Sequence, residues 1–584
     1  MTNELSLGAE GIDYLTRAYE LSQPDDPLKV HILKNIAHIH EIHYQMLRKR
    51  GRLQEAEAHL SKAIFYATEA VNVTAEDHVE LGDAQKNLAA ILSIRLRDFG
   101  EDMETRKLVK YYWLAAAENI RAHPLVRIPA MMYAGAFYWQ DGELAEADQL
   151  LCRAVDLTLQ LNPQQMSTED LRQTLRAVSG VASTATSVAL AAGRSGTHAL
   201  QILGGAHCIV AGLFVDQKSD ISQLRAADPA LAQRLEDVRT KLSCLSKQQQ
   251  KSAEFFEMVT SQDSLLSELS ATEALVLPLP NLNHSDLKKL SLFNDSGNTA
   301  RRNVVPRHQT ARKGNVDEVL VWLWKTAVKP ILDATELTSS RRIWWITTGL
   351  AGHAPLHAAG YHTEDSTENT MSRVISSYVS SFKVLRFNRG RATSAALDNM
   401  LLVSASSHPP PFRDINADLE IKVAKEIFGD ALMHIAQPEP GIVLKNIPNY
   451  SIAHFACHGF ARINDPSSNG LVLVKDGNAV TLTVSDIEKV DHKAGAIAYL
   501  SACSTAEQSD MKLMDEAIHL ANSFQIAGYQ HFLQEAPSGR DGNNEENKTL
   551  DVAKALHEAI IEYKNGGKDR RSVLEWGPFI HVGT

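Results

Sequence analysis

The chain changes its hydrophobic grammar part-way along, and that change constrains the fold more than any other feature. From about residue 10 to 245, Ala and Leu recur at three- and four-residue spacing and strand-like alternation is absent. Prolines there are few, and Pro24, Pro27, Pro124, Pro129, Pro163 and Pro229 fall at breaks in the pattern. After residue 340, short apolar runs alternate with helix-like ones: Arg342–Thr347, Met400–Ser404, Ile452–Ala456 and Ala496–Leu500, with Leu419–Ile427 and Asp515–Ile526 between or after them. The first pattern predicts helices packed on helices. The second predicts βαβ units around a mostly parallel sheet. A chain of 584 residues is too long for one core. The expected organisation is a helical region over 1–245, an irregular connection over 246–317 and an α/β domain over 318–584.

Within the helical region two stretches match. Gly51-Arg-Leu-Gln-Glu-Ala-Glu-Ala-His-Leu-Ser-Lys-Ala-Ile64 and Gly142-Glu-Leu-Ala-Glu-Ala-Asp-Gln-Leu-Leu-Cys-Arg-Ala-Val155 share Gly, Leu, Glu, Ala, Leu and Ala at equal positions. The Gly ends one helix, and the small Ala residues let the next pack closely. That is the logic of a tetratricopeptide-like solenoid, whose period is about 34 residues. The alternative is two ordinary helical hairpins in an irregular bundle. Ala199–Leu245 reads as two more helices, with a break near Asp216–Asp220. A further helix is expected over Val316–Ala334, around Trp322 and Trp324. Leu471–Val474 and Ala479–Leu482 read as a hairpin, with Gly477 and Asn478 suited to positive φ in its turn.

Charge and cysteine usage narrow the function. The net charge of −11 is spread along the chain, which argues against a nucleic-acid partner, since phosphate binding needs clustered Lys and Arg. The basic cluster from Arg301 and Arg302 to Lys313 lies in a polar stretch and reads as a solvated loop. The five cysteines, Cys152, Cys208, Cys244, Cys457 and Cys503, are too sparse for a disulfide framework. With no CxxC, no metal site is expected, and no cofactor. Met1–Glu10 shows no basic segment followed by an apolar one, so no signal peptide is expected, and the apolar run Ala199–Val215, interrupted by Gln201 and His207, reads as a buried helix rather than a membrane span. A cytoplasmic protein is expected. Neither GxxxxGK[ST] nor a strand–GxGxxG–helix occurs, which argues against nucleotide binding.

Two strands end alike. Ile452-Ala-His-Phe-Ala-Cys-His458-Gly459 and Ala496-Ile-Ala-Tyr-Leu-Ser-Ala-Cys503 each run from apolar residues into small ones and then a reactive side chain. In a parallel sheet, function gathers at the carboxyl ends of strands. If the two strands are neighbours, His458 and Cys503 leave by the same edge. The imidazole there takes the thiol proton, and the thiolate is the nucleophile. The N–H groups of Gly459 and Cys503 could form an oxyanion hole. A cysteine at a strand end is, taken alone, more often a small buried hydrophobe. Cys457, beside His458, points to the other face and reads as packing.

Arg341–Gly349, Pro355–Gly360, Ser376–Tyr378, His454-Phe-Ala-Cys-His-Gly459, Leu500-Ser-Ala-Cys-Ser-Thr505, Asp515–Ala521 and Trp576–Gly583 together resemble the CHAT domain, a family of caspase-like peptidases that usually travel with tetratricopeptide repeats. Asp220–Pro229 is similar to the arm of fungal members. The resemblance implies the fold of caspases, separase and gingipain, with His458 as catalytic His and Cys503 as nucleophile. It implies a protein or peptide substrate, with the arm recruiting substrate or a regulator. His357 reads as structural. Asp465, Glu507 and Asp515 are the candidates for the substrate pocket. One departure stands out. After Gly528-Tyr-Gln-His-Phe532 the residues Leu533–Asn544 are loop-like, so a strand beyond the nucleophile is expected to be missing or replaced. That departure favours the alternative function, a catalytically inactive protease-like scaffold for protein–protein interaction and signalling.

Overall fold

The structure is a computed structural model. It describes residues 2–234, apart from 24–25, 27, 101, 162–167, 219–228 and 232, and residues 313–584, apart from 336–340, 349–350, 353, 364–365, 392–396, 406–411, 413, 461–468, 502–515, 517–519, 535–550 and 567–575. The connection read over 246–317, with its basic cluster, lies almost wholly outside the described residues. The chain divides into two compact units. One comprises Met1–Pro163 and Gln173–Ala206, the other Gln164–Arg172 and His207–Thr584.

The first unit is built from helices: α1 Thr2–Leu21, α2 Lys29–Lys49, α3 Leu53–Asn72, α4 Leu81–Phe99, α5 Met103–Glu118, α6 Pro124–Gln140, α7 Leu144–Leu159, α8 Thr168–Ala177 (which straddles the division), α9 Val181–Ala191 and α10 Gly196–Ala206. The two matching stretches do the same job. After α2, Gly51 takes φ +75°, its N–H bonds to Arg48 O, and the Arg52 N–H reaches back to Leu47 O. After α6, Gly142 takes φ +79°, with bonds from Gly142 to Trp139 O and from Glu143 to Tyr138 O. Both are Schellman motifs, in which a left-handed residue satisfies the last carbonyls and reverses the chain. The next helix then lies against the last. Ala56, Leu60 and Ala63 on α3, and Ala147, Leu151 and Ala154 on α7, are the corresponding buried positions. A third copy follows α9, which the sequence comparison does not reveal. Gly193 takes φ +81°, Gly193 N–H bonds to Leu190 O, and Arg194 N–H bonds to Ala189 O.

Helix α11 ends at Lys218, within the break expected near Asp216–Asp220, and residues 219–228 lie outside the described ones; a further break comes earlier. The apolar run is split at His207–Cys208, where Cys208 takes φ +55°, so α10 ends at Ala206 and α11 covers Ile209–Lys218. Among the described residues no helix is long and apolar enough to cross a membrane. Helix α11 belongs to the second unit. Its first turn is held by Glu516, whose Oε1 accepts from Ile209 N–H at 2.9 Å. At its far end Lys218 Nζ donates to the carbonyls of Glu488 (2.6 Å), Val490 (2.5 Å) and Ile526 (3.1 Å).

The second unit is centred on an eight-stranded sheet. Its strands are β1 Arg341–Trp345, β2 Val374–Tyr378, β3 Met400–Ser404, β4 Leu432–Ala436, β5 Ile452–Ala456, β9 Ile497–Leu500, β10 His531–Gln534 and β11 Ile580–Gly583, in the order β1-β2-β11-β10-β9-β5-β3-β4. Between β5 and β9 in sequence, β6 His458–Phe460, β7 Gly470–Lys475 and β8 Asn478–Thr483 form a small antiparallel sheet of their own. All pairs in the large sheet are parallel except β10 with β11. Two parallel blocks, β1-β2-β11 and β10-β9-β5-β3-β4, therefore meet antiparallel at that one seam. Helices alternate with the strands: α12 Lys313–Leu323, α13 Lys329–Ala334, α14 Thr370–Arg373, α15 Phe382–Gly390, α16 Asp418–Phe428, α17 Pro440–Asn446, α18 Val484–Glu488, α19 Leu520–Ala527 and α20 Val552–Asn565. Every residue of β3 and β5 is buried, which is why these strands read as largely apolar runs, broken in β5 by His454, rather than alternating ones. Phe455 of β5 packs on Phe524 of α19, which also meets Phe532 of β10. Burial of each such ring contributes about 1.5–3 kcal/mol.

Three local expectations need correction. The helix expected over Val316–Ala334 is interrupted by one π turn, Trp324–Val328, with the Trp324 ring fully buried and its Nε1 donating to Glu368 Oε2 at 3.2 Å. The hairpin turn is Asp476–Gly477, at φ +50° and +74°, and Asn478 already belongs to β8; a two-residue turn of this hand matches strand twist when both residues are left-handed. The strand expected to be missing after Gly528 is present. It is β10, four residues long, hydrogen-bonded to β9 on one side and β11 on the other. Its shortness and its His and Gln hide it from an apolar-run search.

Candidate active site

Strands β5 and β9 are direct parallel neighbours. Ile452 pairs with Ile497 and Phe455 with Leu500, and the ladder continues one step past the strands, where Ser501 N–H donates to Phe455 O at 3.0 Å. On the other side Ala405 N–H donates to Ala456 O at 3.1 Å. The carboxyl ends of β3, β5 and β9 thus form one edge, and the chain leaves β5 there through Cys457 to His458.

His458 stands where the backbone crosses from the large sheet to the small one. It opens β6 opposite Val472 of β7, is half-buried, and lies with its ring centroid 5.5 Å from that of Phe412. Gly459, next to it, pairs with Leu471 and is half-buried. Gly470 ends the same ladder, where a Cβ would lie 2.1 Å from Leu482 O; no side chain can be accommodated so close to backbone. Cys457 is buried, and burial, followed by the Glu420 carboxylate, pushes its thiol well above the ordinary range. It is a neutral thiol at neutral pH, and a neutral thiol is a poor nucleophile. Cys503, Asp465, Glu507 and Asp515 lie outside the described residues.

Behind the edge is a polar cluster to which the sequence reading assigns no role. His454, buried within β5, holds its Nε2 2.8 Å from Glu420 Oε2 of α16 and 3.4 Å from Ser501 Oγ, with its ring 4.2 Å from that of Tyr499. One signal was available: His454 is the polar residue in an otherwise apolar run, and a buried imidazole in a strand needs a partner. Glu420 itself gives no signal, because it comes from a different βα unit.

His357 is structural in its surroundings. Its Nδ1 is 2.8 Å from the Tyr378 hydroxyl and its Nε2 is 2.8 Å from Gly577 O, and burial pushes its pKa down to about 4. It ties the turn after β1 to the segment before β11, far along the sheet from β5. Among the described residues Cys152, Cys208 and Cys457 are not in disulfides.

The CHAT domain family model matches residues 317–535. A CHAT domain occupies that stretch. No curated protein matches the chain. The matched span of the CHAT domain ends within the β10 region, yet β11, from residues 580–583, sits between β2 and β10 and joins the two parallel blocks. The sheet of the CHAT domain is therefore completed from beyond the matched span. The domain implies a caspase-like fold, and the N-terminal helices followed by a mostly parallel eight-stranded sheet have that architecture.

Proposed function

We propose that the CHAT domain of this protein is a caspase-like cysteine endopeptidase, with His458 as base and Cys503 as nucleophile. The observation that carries this reading is the register of β5 against β9. Phe455 is level with Leu500, and His458 and Cys503 are each three residues further along their chains. Ser501, two residues before Cys503 in sequence, is bonded to β5. The buried neutral state of Cys457 supports Cys503, rather than its neighbour in the motif, as the nucleophile.

In the proposed reaction His458 accepts the Cys503 proton and the Sγ attacks the scissile carbonyl carbon. The C–S bond forms, and the negative charge on the oxygen is received by the N–H groups of Gly459 and Cys503. The C–N bond then breaks, and the proton on His458 goes to the leaving amine. Water, deprotonated by the same imidazole, hydrolyses the thioester and restores the thiol. Asp465, Glu507 and Asp515 are the proposed charges that set substrate preference. The helical region, read as tetratricopeptide-like, would recruit a protein substrate or regulator, and the setting is cytoplasmic.

An inactive scaffold is favoured by the loop-like residues Leu533–Asn544; β10, which reaches Gln534, speaks against a lost strand, and residues 535–550 lie outside the described ones. The deciding experiment labels the full chain with an electrophilic thiol probe and follows cleavage of a peptide library. Labelling and cleavage should be lost in Cys503→Ala and in His458→Ala and kept in Cys457→Ala. Unchanged labelling and cleavage in the first two would remove the assignment, and a wild-type chain that neither labels nor cleaves would favour the scaffold.

A further inference from the structure

The third Schellman motif of the helical unit arranges a group of side chains that the proposed peptidase reaction does not use. Asp148 and Cys152 are four residues apart on α7 and so share one face of that helix. The chain reverses after α9 at Gly193, and Arg194 follows directly, its Nε 2.7 Å from Asp148 Oδ2. Ser195 then caps α10: its Oγ accepts from His198 N–H at 3.2 Å, which fixes His198 in the first turn. A carboxylate oxygen of Asp148, the Cys152 sulfur and a ring nitrogen of His198 all lie within 4.8 Å of one another.

Asp148 is 1% exposed, whereas Cys152 and His198 are half-buried. Arg194 serves only one of its oxygens. The other, Oδ1, faces the Cys152 thiol at 3.7 Å, a weak donor for a buried carboxylate. An ion pair alone would account for Asp148 and Arg194. It does not account for a thiol and an imidazole converging on the same carboxylate.

We propose that Asp148, Cys152 and His198 bind a zinc-class divalent cation. One thiolate, one imidazole and one carboxylate is a donor set suited to Zn²⁺. Tetrahedral Zn–S, Zn–N and Zn–O bonds of about 2.0–2.3 Å place ligand atoms about 3.3–3.7 Å apart. The Asp148–Cys152 pair already has that spacing, and the half-buried His198 ring, with a nitrogen within 4.8 Å of both partners, would close the rest. Asp148 would bind through Oδ1 alone, with Arg194 on Oδ2 orienting it from behind, as groups behind metal ligands commonly do. A fourth position stays open to water or to a partner's side chain. The cation would tie α7 to α10, two helices already in contact within the helical unit. A search for CxxC misses such a site because its ligands come from separate helices.

The test is a Co²⁺ titration of the chelator-treated full chain, since Co²⁺ reports thiolate ligation by an ultraviolet charge-transfer band. One equivalent should produce the band, and Zn²⁺ should abolish it. The band should vanish in Cys152→Ser, whose helical circular dichroism should match wild type. Affinity should fall at least about tenfold in His198→Ala, and by about 10–100-fold in Arg194→Gln. Absence of the band, its survival in Cys152→Ser, or a cobalt spectrum without thiolate character would each overturn the proposal. The last of these would point instead to imidazole binding elsewhere, for which His40, His43 and His59 are the nearest-grouped histidines in the unit.

Discussion

Buried polar side chains are distributed differently in the two units. In the helical unit several occur as small separate pairs between helices or between a helix and a turn. His40 Nδ1 lies 2.8 Å from His59 Nδ1, the Tyr44 hydroxyl donates to Asp98 at 2.6 Å, and Asp148 meets Arg194 at 2.7 Å. In the sheet unit two groups lie on strands, beside others buried on helices such as Asn522, Ser523 and Gln525 of α19. His454, Glu420 and Ser501 lie behind one edge, and His531, His581 and Ser377 run across β10, β11 and β2 at 3.0 Å spacing. The helical pattern follows from antiparallel pairing, in which each interface is local and independent. A parallel sheet instead sends many chain segments out through one edge, so distant residues become neighbours there. The lesson is that a site in the sheet unit depends on the register of strands at one edge, whereas one in the helical unit depends on the packing of two or three helices.

The largest effect should separate the two cysteines of the strand-end motifs, on the proposed assignment of Cys503 as nucleophile. Cys503→Ala should lower peptidase activity by about three orders of magnitude or more, while Cys457→Ala should leave it within about twofold. Initial-rate assays on a cleaved peptide decide this, and equal losses in both would mean that the edge as a whole, not one thiol, was disturbed.

Next is Gly528→Ala. Gly528 takes φ +116°, and a Cβ there would lie 2.1 Å from His492 O. Backbone on one side and a left-handed torsion on the other leave no room, so the cost should be about 3 kcal/mol or more. Calorimetry should show the sheet unit's transition moving down while the helical unit's stays. If both move together, the units do not melt independently.

Acid should weaken both units through buried imidazoles. Burial, then His59, Lys62 and His43, pushes the His40 pKa down to about 4, and burial does the same to His357. Their unfolded value is 6.5. Between these limits the unfolded chain binds more protons, so stability is fully present above about pH 6.5 and is lost as pH falls toward 4. At pH 5 each group should cost up to about 2 kcal/mol. Denaturant titrations at pH 7 and pH 5 measure it. His40→Gln should remove part of the slope from the helical unit and none from the sheet unit.

The smallest effect is expected at the hairpin glycines. Gly51 and Gly142 have open space where a Cβ would sit, so Ala meets only the torsional penalty of positive φ, about 1 kcal/mol. Equal losses in Gly51→Ala and Gly142→Ala would confirm that the two matching stretches are equivalent turns. A loss at one alone would make their similarity superficial.

Much of this was legible in the residues. The Gly-Leu-Ala pattern located two helical reversals, the strand runs at Met400–Ser404 and Ile452–Ala456 matched to the residue, and His458 fell at the carboxyl end of its strand. Short elements were harder to read. β10 carries His and Gln where an apolar run was sought, and Asn478 was assigned to the turn that Asp476 and Gly477 make.

What the sequence determined by itself was local: where chain direction reverses, which helix faces are small enough to pack, and which strands are largely apolar. These depend on torsional preference and side-chain periodicity within a dozen residues. Tertiary structure alone decided that β11, from the last residues of the chain, lies between β2 and β10 and sets two parallel blocks against each other. It also decided that Glu420 reaches His454, and that Asp148, Cys152 and His198 converge. Such pairings join residues from separate elements, and no periodicity encodes a partner that is fixed only when the apolar faces have found one another.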